Sequence, residues 1–335
     1  MLVHWHIRST LLALSVLTYV FTYASAADDT NRPPGVPTYR SNVSEVRVTF
    51  FATDQNNHAL ATLTKSDFAI VDNELVVRNF RSFTHSDETS LDVVALVDLS
   101  ESVAPRIRAT MSAVLQLVAG EQSIPDDNIA VLSFGGTSGG TPSGIHPAIL
   151  CSSGCRAADA ASKLLAVKSG GTTPLFDALI FAADFIAQHR RAGARPVLIL
   201  FSDGDDTISL HSAREALQAV LDGGALIYSV DMGTSAYQAS YHASNETSGS
   251  TFLRQISRAT GGRYFSFSSS LRSSQQDNAA TVLDAVLEDL RASYVVTYDL
   301  PNHQDGFHVL RLLPTHNLNL TFHSRNGYLY ERSRP

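Results

Sequence analysis

Two uninterrupted apolar runs stand out in the middle of the chain. Residues 93–97 read Val-Val-Ala-Leu-Val, and residues 197–201 read Val-Leu-Ile-Leu-Phe. Apolar runs of this length suit strands buried on both faces, as in a parallel sheet. Further strands are predicted over 128–134, 225–230 and 263–267, with an antiparallel edge strand over 145–150. Apolar residues at helical spacing predict helices over 103–119, 157–167, 175–190, 212–221 and 252–259. This alternation indicates an α/β fold with a doubly wound, mostly parallel sheet flanked by helices.

The two ends of the chain follow a different pattern. Residues 46–51 alternate in the manner of a strand, and residues 75–83 are strand-like again. Near the other end, a helix is predicted over 277–290. Three strand-like runs follow it, over 293–298, 308–313 and 318–323. Both ends are therefore predicted to be rich in strands, unlike the middle of the chain.

Composition and charge narrow the possible partners. The 335 residues are 44% hydrophobic and 17% charged, with a formal net charge of -7. This composition is ordinary for a globular protein. The chain has no basic cluster, which argues against nucleic acid or an anionic membrane surface as a partner.

The first 26 residues have the features of a secretory signal peptide. Arg8 supplies a positive charge, residues 11–23 are apolar, and Ala24-Ser25-Ala26 offers small residues for cleavage near Ala26. The apolar run is shorter than the roughly 20 residues that span a bilayer. We therefore expect a secreted or periplasmic protein without a membrane span.

The two cysteines, Cys151 and Cys155, stand close together in the sequence. In an oxidising compartment this spacing favours a small disulfide loop. Free thiols are the main alternative. A zinc site is disfavoured because no second Cys or His pair stands at ligand spacing.

The first buried strand ends in a run of oxygen-bearing side chains. Asp98, Ser100 and Ser102 place a carboxylate and two hydroxyls at alternate positions just past its end. In an open α/β sheet this edge faces the ligand crevice. Such hard oxygens suit Mg²⁺, although Asp and Ser are also ordinary helix-capping residues.

Two later stretches of the sequence favour the metal site over simple helix capping. Residues 169–179 form a glycine turn with threonines just before a predicted helix, and the second buried strand ends at Asp203. Together with residues 98–102, they resemble the von Willebrand factor type A domain, a Rossmann-like fold, and its metal-ion-dependent adhesion site. The resemblance places metal ligands at Asp98, Ser100, Ser102, Thr173 and Asp203.

The resemblance also implies how the site would act. The cation would be Mg²⁺ or Mn²⁺, with Ca²⁺ disfavoured by the few carboxylates. An acidic group of a protein or matrix partner would fill an open coordination position. Thr172 is an alternative to Thr173, and Glu101 either points to solvent or competes for that position. Asp205 and Asp206 either cap the next helix or hold waters near the metal.

The chain ends resemble an exported branch of the same family, first grouped from Acidobacteria. The matching positions are Leu63, Thr64, Asp67 and Phe68 near one end, and Tyr294, Tyr298, Gly327 and Tyr328 near the other. We expect the terminal strands to pair in a small β-sandwich. The predicted divisions are a signal peptide (1–26), a flexible leader (27–42), an N-terminal β unit (43–88), the type A domain (89–275), and a helix with C-terminal strands (276–335).

Three functions compete at this stage. The favoured one is a non-enzymatic, metal-dependent binding module. A structural envelope protein with a vestigial site is the second. A metal-dependent hydrolase is the third, and it would need a general base, for which Asp205 and His211 stand nearest in the sequence. The chain has no His-Glu-x-x-His motif and no phosphate-binding loop, which disfavours the enzyme.

Overall fold

A computed structural model describes residues 45–85, 90–119, 128–138, 141–142, 147–152, 155–166, 168–233, 248–266 and 275–330. The predicted signal peptide and flexible leader lie outside these residues. Among the described helices, none has the length and apolar character needed to cross a bilayer.

The described strands and helices are as follows. The strands are β1 Glu45–Thr53, β2 Phe68–Asp72, β3 Leu75–Val77, β4 Ser82–His85, β5 Leu91–Asp98, β6 Asn128–Phe134, β7 Thr137–Ser138, β8 Thr141–Pro142, β9 Ala148–Cys151, β10 Arg195–Ser202, β11 Leu226–Asp231, β12 Tyr264–Ser266, β13 Tyr294–Asp299, β14 Gly306–Pro314, β15 Thr321–Ser324 and β16 Gly327–Tyr330. The helices are α1 Ile107–Ala119, α2 Ala157–Ala166, α3 Leu175–His189, α4 Ala213–Gly223, α5 Ser248–Thr260 and α6 Gln275–Arg291, with a 3₁₀ turn over Ala104–Arg106 before α1.

Six strands form the central sheet, in the order β12-β11-β10-β5-β6-β9. All neighbours are parallel except β6 and β9, which are antiparallel. The chain first builds outward from β5 through β6 to β9, and then returns to the other side of β5 with β10. This reversal is the topological switch point of a doubly wound fold. The predicted fold class is confirmed.

Both faces of the central sheet are covered by helices, which explains the uninterrupted apolar runs. Alternate residues of β5 point to opposite faces. Val93, Ala95 and Val97 pack with α1, α2 and α6, whereas Val94 and Leu96 pack with α3, α4 and α5. Every residue of β5 and β10 is buried. Burial on both faces leaves no position in the middle of either strand where a polar side chain could reach water, so residues 93–97 and 197–201 are all apolar.

Two further four-stranded sheets join the ends of the chain. Their orders are β15-β1-β13-β4 and β16-β14-β2-β3, so each sheet combines strands from before and after the central domain. Their inner faces share one apolar core that includes Phe50, Phe68 and Tyr294. Phe50 contacts the ring of Phe68 at a centroid distance of 4.8 Å.

The disulfide prediction is confirmed. Cys151, the last residue of β9, is bonded to Cys155, with their Cα atoms 5.5 Å apart. The bond joins the end of the edge strand to the segment that leads into α2.

Several predicted boundaries were wrong. The strand predicted over 75–83 is two short strands, β3 and β4, and the last strand, β16, was not predicted. Helix α5 begins at Ser248, before the start of the helix predicted over 252–259. Helix α6 packs in the core of the central sheet through Leu283 and Val286. The predicted division of the chain, which groups this helix with the C-terminal strands, stays a prediction.

Candidate metal centre

The two strands that flank the switch point end in acidic residues. Strands β5 and β10 are adjacent and parallel, so their carboxyl ends meet at one edge of the sheet. Asp98 is the last residue of β5, and Asp203 directly follows β10. Both side chains are buried, with relative exposures of 1% and 8%. The fold thus gathers two carboxylates from positions more than 100 residues apart at the place where open α/β sheets bind ligands.

Asp98 is held in a fixed orientation by neutral donors. The backbone N–H of Ser100 donates to Oδ1 at 2.9 Å, and the hydroxyl of Ser202 donates to Oδ2 at 2.7 Å. Burial raises the pKa of Asp98 to about 7, although these hydrogen bonds favour the ionised form and lower it. The negative charge of Asp203 adds to the increase. A buried carboxylate in such surroundings is stabilised by a nearby cation.

The serines of the first loop lie beside each other. Ser100 is buried and Ser102 is exposed, and their hydroxyl oxygens are 3.2 Å apart. The loop is fixed by its backbone, since the N–H of Leu99 donates to the carbonyl of Phe134 at 2.9 Å. The two hydroxyls therefore lie together just above the buried end of β5.

A glycine allows the loops around the site to approach closely. Gly135 has a φ of 67°, which is unfavourable for residues with a side chain. A Cβ at this position would lie 3.0 Å from the backbone nitrogen of Ser100 and 3.2 Å from the carbonyl oxygen of Thr172. The N–H of Gly170 also donates to the carbonyl of Leu99 at 2.8 Å. The first loop and the threonine loop are thus in direct contact.

The two candidate threonines differ in burial. Thr173 is buried, whereas Thr172 is exposed. The backbone N–H of Thr173 donates to the hydroxyl of Thr207 at 2.7 Å, and the N–H of Thr207 donates to the carbonyl of Thr173 at 2.9 Å. These bonds join the threonine loop to the loop after β10. Burial beside this edge favours Thr173 over Thr172 as the ligand.

The loop that carries Asp203 is packed tightly against α5. A Cβ on Gly249 would lie 2.4 Å from the carbonyl oxygen of Asp203, so only glycine fits there. The N–H of Asp205 donates to Oδ1 of Asp203 at 3.2 Å. Asp205 itself lies beside the first turn of α5, where its Oδ1 accepts from the hydroxyl of Ser248 at 3.4 Å. Burial, followed by the charge of Asp203, raises the pKa of Asp205.

The remaining residues singled out from the sequence lie around this edge. Asp206 accepts from the N–H of Phe176 at 3.3 Å and from the hydroxyl of Ser209 at 2.5 Å, so it supports the start of α3. One of the two roles that the sequence offered for Asp206 was to cap the next helix, α4. The N-cap of that helix is Ser212. Glu101 is exposed.

The two candidate general bases have other partners. His211 Nδ1 lies 2.7 Å from Oδ1 of Asp177, on the exposed part of the loop before α4. Asp205 contacts α5 as described. Residues 136–140, Gly-Thr-Ser-Gly-Gly, fit the spacing of a serine-hydrolase motif. Ser138, however, lies on the two-residue strand β7 rather than on the strand-to-helix turn that this chemistry requires.

Three residues of this edge were missed by sequence reasoning. Ser202 binds Asp98, as described. Asp231, the last residue of β11, accepts from the hydroxyls of Ser250 and Tyr264, both at 2.6 Å. Arg106 is buried; burial lowers its pKa and the charge of Asp231 raises it. Asp231 could have been predicted to lie at this edge in the same way as Asp98, because it too is an acidic residue at the end of an apolar run.

The donor set fits a small, hard cation. Two carboxylates and the hydroxyls of Ser100, Ser102 and Thr173 are oxygen ligands of the kind that Mg²⁺ and Mn²⁺ prefer. Within the described ranges, no group of three or more His, Cys, Asp or Glu side chains could hold a metal ion. A metal site at this edge would therefore depend on hydroxyls as much as on carboxylates.

Comparison with known sequences identifies a family. The sequence model described as von Willebrand factor type A domain matches residues 92–279, just over half of the chain. The match begins in β5 and extends into α6. No curated protein matches the chain.

Several solved structures are similar to this chain. An aerotolerance-related membrane protein from Bacteroides fragilis shares 14% identity at a TM-score of 0.43, covering 60% of this chain and 98% of that one. The manganese-loaded TRAP protein of Plasmodium vivax shares 16% identity at a TM-score of 0.39, covering 73% and 82%. The pilus adhesin SpaC of Lactobacillus rhamnosus GG shares 11% identity at a TM-score of 0.44, covering 84% of this chain but 47% of that one.

Proposed function

Because this chain belongs to the von Willebrand factor type A family, we propose that it is an exported binding module that captures a protein or matrix partner through a divalent cation. The ligands in this proposal are Asp98, Ser100, Ser102, Thr173 and Asp203, and the cation is Mg²⁺ or Mn²⁺. Thr172, Glu101, Asp205 and Asp206 lie around it without binding it directly. The compartment is the periplasm or the outside of the cell.

The observation that supports the proposal most strongly is the burial of the Asp98 carboxylate. Its carboxylate is 1% exposed, lies at the switch point of the sheet, and accepts hydrogen bonds from neutral donors. A buried charge of this kind is costly unless it is paired or coordinates a metal. A cation at this position would offset that cost and would retain affinity for an additional anion, such as a partner's Asp or Glu side chain.

The surroundings of the edge support a protein partner. Ile208 and Leu210 are exposed, with relative exposures of 38% and 77%, on the loop that follows Asp203. This loop is held by Asp177, whose Oδ2 accepts from the N–H of Leu210 at 3.0 Å. Two apolar side chains on a fixed loop beside a charged site are suited to contact a partner residue that adjoins the bound carboxylate.

The test is a calorimetric titration of Mg²⁺ and Mn²⁺ into metal-free protein. We expect saturable binding in the wild type and its loss in Asp98→Asn, which keeps the size of the side chain and one of its two acceptor oxygens. Asp184→Asn is the matched control, because Asp184 is an exposed residue of α3 and its substitution changes the net charge equally. The control should bind like the wild type.

The same titration separates the proposal from a structural role with a vestigial site. Absence of binding in the wild type at millimolar metal, or equal binding in Asp98→Asn and wild type, would contradict the proposal. If binding is found, partner capture from an extracellular fraction should be abolished by a chelator and by Asp98→Asn, but not by Asp184→Asn.

A further inference from the structure

A cavity rich in arginine lies at the opposite edge of the central sheet from the candidate metal centre. It has a volume of about 330 Å³ and is lined by residues that include Arg47, Arg190, Arg195 and Arg325. Arg195 is the first residue of β10, whereas Asp203 follows the last residue of the same strand. The cavity is thus separated from Asp203 by the length of β10.

The cavity is enclosed by both structural parts of the chain. On β1, Val46, Val48 and Phe50 point into the sandwich core, so the alternate residues Arg47 and Thr49 face the other way, toward the central domain. That domain contributes Arg190, the C-cap of α3, and Arg195. The site therefore exists because the sandwich is packed against the amino edge of the central sheet.

Arg325 is positioned in this cavity by specific contacts. Its Nη2 donates to the carbonyl of Arg47 at 3.0 Å, and its guanidinium lies 5.3 Å from the ring centroid of Tyr328. These contacts hold Arg325 in the lining of the cavity.

Helix ends and carboxylates offset part of the positive charge at the cavity. The C-terminal ends of α3 and α4 border the cavity, and the carbonyl of Leu290, near the end of α6, accepts from Nη2 of Arg195 at 2.9 Å. Each helix end carries about half a negative charge, so three ends account for roughly one and a half of the four positive charges. Asp222 contributes one more negative charge, and the charge of Asp72 acts on Arg325. Arg47 and Arg190 are the exposed arginines of this lining, so their guanidinium N–H groups are accessible to an ion from solution.

We propose that this arginine cavity is a binding site for a multivalent oxyanion, either a free ion or the terminal phosphate-type group of a larger molecule. Guanidinium groups are suited to such ligands because their N–H groups bind paired oxygens. A second cavity of about 340 Å³ shares Asp222 and Arg325 and is lined by Phe307 and Tyr328. It could hold an apolar or aromatic part attached to the anion.

The test is a calorimetric titration of inorganic pyrophosphate into the full chain in a buffer that contains a chelator. We expect saturable binding that weakens at high salt, because the contact is ionic. The double variant Arg47→Gln/Arg190→Gln should weaken binding by about tenfold or more, since it removes two charged donors. Both residues are exposed, so their replacement should leave the fold intact, as circular dichroism and thermal unfolding would verify.

The matched control is Arg311→Gln, a change of the same type on an exposed arginine of β14 that pairs with Glu74. It should bind pyrophosphate like the wild type. Asp98→Asn should also bind normally, so failure of the metal proposal would not affect this one. Absence of saturable binding at millimolar pyrophosphate, or equal affinity in the double variant and the control, would overturn the oxyanion site.

A comparison of inorganic phosphate with phenyl phosphate identifies the source of the anion. Tighter binding of phenyl phosphate, lost in Phe307→Ser, would support a larger ligand that extends into the second cavity. Equal affinities would support a free ion. Both results require the oxyanion site, and they differ in what is attached to the oxyanion.

Discussion

At the scale of single residues, the half-buried His323 and the buried Asp289 respond to pH in opposite directions. The ring of His323 stacks on Phe51 at 4.6 Å, and its Nε2 lies 3.1 Å from the hydroxyl oxygen of Thr53. Burial lowers the pKa of His323 to about 4, and the charge of Arg263 adds to the decrease. Asp289 is fully buried; burial raises its pKa to about 7, even though its ion pair with Arg263 at 2.8 Å lowers it.

His323 should make stability increase with pH between about 4 and 6.5. In this range the unfolded chain, with an ordinary histidine pKa of 6.5, binds more protons than the folded chain, so protonation favours unfolding as the pH falls. The effect amounts to at most about 3 kcal/mol. In His323→Phe we expect the free energy of unfolding, relative to wild type, to improve as the pH is lowered through this range. Parallel urea-denaturation profiles of the two proteins would contradict the prediction.

Asp289 should have the opposite effect between about pH 4 and 7. Here the folded state binds the proton that the unfolded chain, with a carboxyl pKa of 3.8, has already released, so stability is lost as the pH rises. The loss amounts to at most about 4 kcal/mol. Asp289→Asn cannot ionise, and its free energy of unfolding relative to wild type should therefore rise with pH. Asp284→Asn, an exposed change on the same helix, should show no such trend.

At the scale of elements, the contact between α5 and the loop after β10 depends on two glycines. Gly204 and Gly249 face each other, and a Cβ on Gly204 would lie 2.3 Å from the carbonyl oxygen of Gly249. This close approach fixes the backbone of Asp203 without using its side chain. The position of one candidate ligand is therefore set by helix packing rather than by the motif that contains it.

Gly249→Ala tests this packing because intrinsic helix propensity predicts the opposite result. In an exposed helix, replacing Gly with Ala stabilises by about 1 kcal/mol. Here the new methyl group would overlap the carbonyl of Asp203, and we expect a loss of about 1–3 kcal/mol in the free energy of unfolding, together with weaker Mg²⁺ binding. Gln255→Ala, an exposed change in the same helix, should be neutral or slightly stabilising. Equal stability of the two variants would show that the contact is not restrictive.

At the scale of the whole molecule, the two chain ends are joined through one buried carboxylate. Asp72, in β2, accepts from the hydroxyl of Tyr298 at 2.8 Å and from that of Tyr328 at 2.6 Å, and its Oδ1 lies 3.1 Å from Nδ1 of His308. Tyr298 belongs to one sheet of the sandwich, and Asp72, His308 and Tyr328 belong to the other. This network links strands that are more than 200 residues apart in the sequence.

Asp72→Ala should therefore destabilise the sandwich strongly. The change leaves the hydroxyls of Tyr298 and Tyr328 without their common acceptor and leaves a gap beside the buried ring of His308, which we expect to cost about 3 kcal/mol or more. Asp299→Ala is the control, because Asp299 forms an exposed ion pair with Arg81, and such pairs contribute at most about 1 kcal/mol. Urea denaturation of both variants would measure the difference. A loss in Asp72→Ala no larger than in the control would contradict the role of the network.

The family, the fold class and the disulfide could be predicted from the sequence because their signals are local. Apolar runs such as 93–97 reflect burial on both faces of a strand, and the spacing of Asp98, Ser100 and Ser102 is a property of one loop. The exported-branch resemblance and the metal ligands stay predictions, and the proposed titrations test the ligands.

The tertiary structure alone decided which distant residues meet. The sequence around β10 does not indicate that Ser202 binds Asp98, or that Arg195 shares a cavity with Arg47 of β1. Strand boundaries near β3 and β4 and the packing of α6 likewise depend on neighbours supplied by other parts of the chain. The physical reason is that periodicity records whether a residue is buried, whereas the identity of its neighbours is fixed only when the sheets and helices pack together.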